Sequence, residues 1–136
     1  MPALTGPRET KERSGDRRSF PVKAATTIFQ GSLVAVGADD QLVPMSTATT
    51  LRGVGRAEEP VDNSAGVDGD LNCEVGSGIY RYANSAAADL ITAADIGLPC
   101  YGVDDQTVAL TDGTSTRSVA GTIHDVDALG VWVKFS

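Results

Sequence analysis

A chain of 136 residues with a formal net charge of −7 has the size of one domain and hides roughly 70% of its unfolded surface on folding, enough for a core without staples. The acidic balance excludes a body that binds nucleic acid or an anionic membrane, since both need a basic footprint, and no run reaches the roughly 18 apolar residues of a membrane span. Aromatic residues make up only 5%, while glycine, alanine, valine, threonine and aspartate are plentiful, a mixture that suits short strands joined by tight turns.

The first nineteen residues, MPALTGPRETKERSGDRRS, carry few large apolar side chains and two prolines. They cannot bury enough surface to offset the entropy of ordering, and they read as an extended arm over 1–19 ahead of a β domain over 20–136. Residues 1–23 hold six basic and three acidic side chains, a balance of +3, whereas the remainder holds five and fifteen, a balance of −10. A basic arm on an acidic body orders where it meets an acidic surface, so Arg8, Lys11, Arg13, Arg17 and Arg18 are the candidate contact residues. No signal-peptide core precedes them, and synthesis in the cytoplasm is expected.

From Phe20 the pattern is β. FPVKAATTIFQGSLVAVG gives two apolar runs parted by a Gln30-Gly31-Ser32 turn, and DDQLVPM adds a brief strand after an acidic turn. LRGVGRAEE alternates Leu51, Gly53 and Gly55 with Arg52, Val54 and Arg56, a strand whose glycine face meets another backbone closely. PVDNSAGVDGD reads as a loop; its Asp62, Asn63, Asp68 and Asp70 lack the spacing of a helix-loop-helix calcium site, and a solvated turn is expected. LNCEVGSGIYRYA predicts a hairpin around Gly76-Ser77-Gly78, with Tyr80 and Tyr82 opposite Ile79, Arg81 and Ala83.

LITAADIGLP predicts one short helical turn, capped by Thr92, with Asp95 three positions on, Gly97 ending it and Pro99 preventing continuation. CYGVDDQTVAL reads as strand, Asp104-Asp105 turn, strand, and SVAGTIHDVDALGVWVKF as a final hairpin. The whole predicts an all-β fold, a single small β-barrel or β-sandwich of short antiparallel strands with one short helical turn and an extended N-terminal arm.

Chemistry-bearing motifs are sparse. Cys73 and Cys100 fit no metal or redox spacing and read as two buried thiols. His124 lies beside Asp125 and near Asp127, but alternation sends Asp125 away from it, and no second histidine or placed donor completes a metal or acid–base site. No catalytic residue, metal or cofactor is expected. In the last strand Val131, Val133 and Phe135 share one face and Trp132 and Lys134 the other, and either face serves as core by pattern alone. Trp132 is a candidate contact residue because tryptophan is enriched at interfaces.

Most of residues 22–135 resembles the small head-decoration, or capsid-cement, proteins of tailed bacteriophages and prophages. The stretches that carry the resemblance are YRYANS, ADIGLPCYGVDDQTVA and TRSVAGTIHDVDALGVWV, with KAATTIFQGSLVAVGADDQLVP near the start of the domain. The resemblance implies a non-enzymatic virion protein on the capsid exterior, with the major capsid protein as partner and a homotrimer as the favoured assembly. Another class open to a β domain of this kind is a receptor- or carbohydrate-binding module of a phage fibre or spike, which calls for exposed aromatics around a groove.

Overall fold

In a computed structural model that describes residues 2–11 and 15–135, the run Leu33–Val36 is buried at every position. An uninterrupted apolar run marks a strand covered on both faces, and the architecture is built around it. In chain order the strands are β1 (Arg17–Pro21), β2 (Thr26–Ile28), β3 (Leu33–Val36), β4 (Leu42–Pro44), β5 (Arg52–Ala57), β6 (Val61–Asn63), β7 (Asn72–Gly76), β8 (Ile79–Tyr82), β9 (Pro99–Gly102), β10 (Val108–Ala109), β11 (Val119–Asp127) and β12 (Gly130–Lys134). They form two five-stranded antiparallel sheets, β1-β7-β5-β3-β4 and β10-β9-β11-β12-β8, and a two-stranded ribbon, β2-β6. The sheets do not close on themselves, so of the two expected forms the fold is a sandwich and not a barrel.

Two cores follow from the layering. Leu33 and Ala35 pack with Ile123, Val131, Val133 and Phe135 against the second sheet, while Val34 and Val36 pack with Phe20, Ile28, Leu42 and Val75 on the ribbon side. Cys100 lies in the first core and Cys73 in the second, both buried and unpaired. Val131, Val133 and Phe135 therefore form the inner face of β12, with Trp132 and Lys134 outside.

The glycine-bearing strand behaves as its sequence predicts. A Cβ on Gly53 would fall on the Ala120 carbonyl of β11, so the two sheets meet backbone to backbone at this point, and one on Gly55, whose φ is +147°, would strike the Gly76 carbonyl. The predicted turn is present as a 3₁₀ turn over Ala93–Asp95. Asp95 accepts the Thr92 N–H at 2.8 Å, and Gly97 follows with φ +95°. A second 3₁₀ turn, Ala87–Asp89, was not anticipated.

Several expectations are revised. The segment around Gly76-Ser77-Gly78 is not a hairpin: β7 pairs with β1 and β5, whereas β8 pairs with β12, so the turn carries the chain from one sheet to the other. The arm ends earlier than residue 19, because β1 begins at Arg17 and is hydrogen-bonded to β7 along an outer edge, where Pro21 sits as proline does in edge strands. The 61–70 segment is not wholly loop. Its first three residues pair with β2, and buried Asn63 donates from Nδ2 to the carbonyls of Val22, Lys23 and Val67 at 3.0–3.1 Å. Register shifts at Val119/Gly121 and Ile123/Asp125 break strict alternation in β11, so Ala120 and Ile123 are both buried.

Candidate functional site

The arm is laid out as its composition requires. Residues 2–11 are exposed throughout and form no helix or strand, and within them the Thr10 N–H donates to the Arg8 carbonyl at 3.1 Å. Arg8 and Lys11 lie on this segment, and Arg13 falls outside the described residues. Arg17 and Arg18 belong instead to β1. The Arg17 guanidinium lies 3.5 Å from Glu58, and Arg18 stacks over the Phe20 ring at 4.6 Å on the opposite face of the strand.

Glu58 joins the root of the arm to the rest of the candidate surface. It follows β5 and is largely covered, and its carboxylate accepts from Arg56 Nε at 3.1 Å and Nη2 at 2.8 Å. The Tyr80 hydroxyl donates to the same carboxylate at 3.4 Å. Held in this way, the Arg56 guanidinium lies over the Tyr80 ring at 4.0 Å. Burial pushes the hydroxyl of the neighbouring Tyr82 well above its ordinary value, with nearby Arg56 opposing the effect.

Trp132 is half-buried on the outer face of β12, directly across from Arg81 on β8. Arg81 covers the indole ring at 5.4 Å and lies 3.7 Å from Asp127, while the indole Nε1–H donates to Asp127 at 2.9 Å. The Trp132 hydrogen bond, and then the Leu129 N–H and the Arg81 charge, hold the Asp127 carboxyl below its ordinary value. An arginine stacked on an aromatic ring stabilises by about 0.5–1 kcal/mol at an exposed site. Both stacks also fix the direction in which a guanidinium points.

Between the two stacks runs a groove lined by Arg56, Ile79, Tyr80, Arg81, Tyr82 and Trp132. Two arginines and three aromatics line it, and each guanidinium is paired within the chain, Arg56 with Glu58 and Arg81 with Asp127. Of these residues only Trp132 was expected at a contact. The alternation of IYRYA set Arg81 opposite Tyr80 and Tyr82, but nothing in the sequence signalled that Glu58 would gather Arg17, Arg56 and Tyr80.

The other candidate ligands are not brought together. His124 is exposed at the register shift of β11, and the Asp125 carboxylate accepts the N–H of Val126. In the aspartate loop, Asp68 accepts the Ala24 N–H at 2.8 Å and ties the loop to its surroundings, while Asp70 accepts the Val67 N–H at 3.0 Å and closes the loop on itself. Among the described residues no group of three or more histidine, cysteine or carboxylate side chains is placed to hold a metal ion, and no helix is long and apolar enough to cross a membrane. No protein-family model matches the chain, and neither does any curated protein or solved structure.

Proposed function

We propose that this protein is a non-catalytic decoration protein of a tailed-phage head, sitting on the capsid exterior and bridging neighbouring copies of the major capsid protein. The observation that carries the reading is the arm. Ten consecutive described residues, 2–11, are exposed throughout beside a well-packed β body, and the arm ahead of β1 carries Arg8, Lys11 and Arg13 on a chain whose residues 24–136 have a balance of −10. Such a segment pays its ordering entropy only on contact, which suits a tether that engages an assembled surface. The resemblance in YRYANS and in the final hairpin supports the same role.

Mass action explains how a protein of this kind works without an active site. Whatever binds the expanded shell and not its dissociated parts stabilises the shell, and many repeated contacts add through multivalency. Arm contacts made through Arg8, Lys11 and Arg13 are electrostatic, so they weaken as salt shortens the screening length, which is about 10 Å at 0.1 M.

The test is co-sedimentation with expanded capsids that lack the protein, with bound copies counted per capsid subunit. Saturation at a fixed ratio with added heat resistance of the shell is expected. Removal of residues 1–14, which leaves β1 whole, is expected to cut occupancy strongly at low salt. Capsids that bind no protein at any salt would sink the reading.

A further inference from the structure

We propose that the body of this protein carries a second contact site, a groove between Arg52 and Lys134 that takes an acidic, extended segment of the major capsid protein; naming that donor rests on the decoration reading. Residues 24–136 hold five basic side chains against fifteen acidic ones. Three of the five are matched within the chain: Arg56 by Glu58, Arg81 by Asp127 and Arg117 by Asp89, at 2.8, 3.7 and 3.1 Å. Arg52 and Lys134 are the other two. Both are exposed, and neither meets a carboxylate among the described residues.

The fold brings these two cations to one place from opposite sheets. Arg52 opens β5 in the first sheet, and Lys134 closes β12 in the second, where it lies across from Thr122 of β11. The sheets touch at Gly53 and Ala120, because a glycine lets the two backbones approach. Along this seam runs a groove lined by Arg52, Thr122 and Lys134 and by no carboxylate. The rest of its wall is apolar: Pro99 and Val119 stand exposed, Val119 at 46%, with buried Phe135 beneath.

The lining selects the occupant. Two uncompensated cations on an acidic body attract one or two carboxylates and not a dense polyanion such as nucleic acid, which needs a wider basic footprint. A small inorganic anion leaves Pro99 and Val119 uncovered. A peptide with an apolar side chain between two acidic ones covers them and brings a carboxylate to the guanidinium and another to the ammonium. An extended chain turns residues i, i+2 and i+4 to one side, so the acid, apolar and acid positions alternate with side chains that face away. The arm leaves from β1, two strands from β5, so groove and arm give one chain two separate contacts, as bridging two subunits requires.

The capsid-free probe is the blocked peptide Glu-Ala-Val-Ala-Glu, titrated into the 15N-labelled full chain. Saturable shifts of the Arg52, Gly53, Thr122 and Lys134 amides are expected, resolved from any at the arm. Arg52→Gln and Lys134→Gln are each expected to weaken that binding by roughly fivefold or more. Gln30→Glu, an exposed position outside the groove with the same change in net charge, is expected to leave it unaltered. In co-sedimentation with expanded capsids, Arg52→Gln and Lys134→Gln are expected to need several-fold more protein for half-saturation than the wild type, and Gln30→Glu no more. Groove amides that ignore the peptide, or that respond equally to inorganic phosphate at the same ionic strength, overturn the proposal. Capsid binding indifferent to both groove variants also overturns it and leaves the decoration reading standing. Capsids that bind no wild-type protein sink the decoration reading instead, and the peptide titration then decides the groove alone.

Discussion

Asp127 and Trp132 clasp the last hairpin from the outside: the carboxylate at the end of β11 accepts the indole N–H from the third residue of β12 at 2.9 Å. The bond is strengthened by the charge of ionised Asp127, whose pKa lies below the ordinary 3.8. A depressed folded value means that the contribution is whole above the unfolded pKa and is lost as pH falls through the folded one. Trp132 emission is therefore expected to stay flat from neutral pH down to about 4 and to change below it. In Asp127→Asn, whose amide oxygen still accepts the bond, that acid transition is expected to disappear. A transition retained in the variant assigns it to another group.

Gly53 is expected to tolerate no side chain. Since a Cβ there meets the Ala120 backbone and not a flexible side chain, the two sheets must separate to admit it. Gly53→Ala should lower stability by roughly 2–3 kcal/mol, the upper range for overpacking, measured by urea unfolding. Gly6, with nothing within 4 Å of a Cβ, is the matched control, and Gly6→Ala should leave the midpoint where it is.

The two thiols report on opening of the two cores. Burial pushes both Cys73 and Cys100 up to about 11, so at pH 8 only about a thousandth of either is thiolate even where reagent reaches it. Native protein is expected to resist a disulfide reagent for hours and to react with two equivalents in denaturant. Fast reaction of one thiol in the native state would locate the weaker core.

Asn63→Ala leaves the carbonyls of Val22, Lys23 and Val67 without the amide that joins them. The Val22 and Val67 carbonyls keep the Gly69 and Asp70 N–H groups, so the cost expected is that of lost side-chain hydrogen bonds, about 0.5–1.5 kcal/mol, read from a thermal melt. Asp68→Asn, on the exposed side of the same loop, should change little; equal losses would mean that the loop is held from outside.

What the sequence disclosed was local. Alternation, turn residues and capping placed the β3–β4 and β11–β12 hairpins, the Asp104-Asp105 turn and the Thr92–Asp95 cap, all of which rest on neighbours in the chain. What escaped was partner choice. Gly76-Ser77-Gly78 reads identically whether β8 folds back on β7 or crosses to β12, because the choice is made by which sheet has an edge to offer. The two register shifts of β11 were likewise invisible, and they override the strict alternation expected along that strand. At the candidate surface Trp132 announced itself by residue type, but Glu58 acquires its role only from where β5 ends.

The four residues of β3 carry one more consequence. Since Leu33 and Ala35 serve one core while Val34 and Val36 serve the other, neither core can melt and leave its half of this strand in place. Heat or denaturant should therefore find one cooperative transition, with the β3 amides the last to exchange their hydrogens. For a protein in the role proposed above, at the surface of a pressurised shell, failure would come all at once or not at all, with no half-open form to shed or to aggregate.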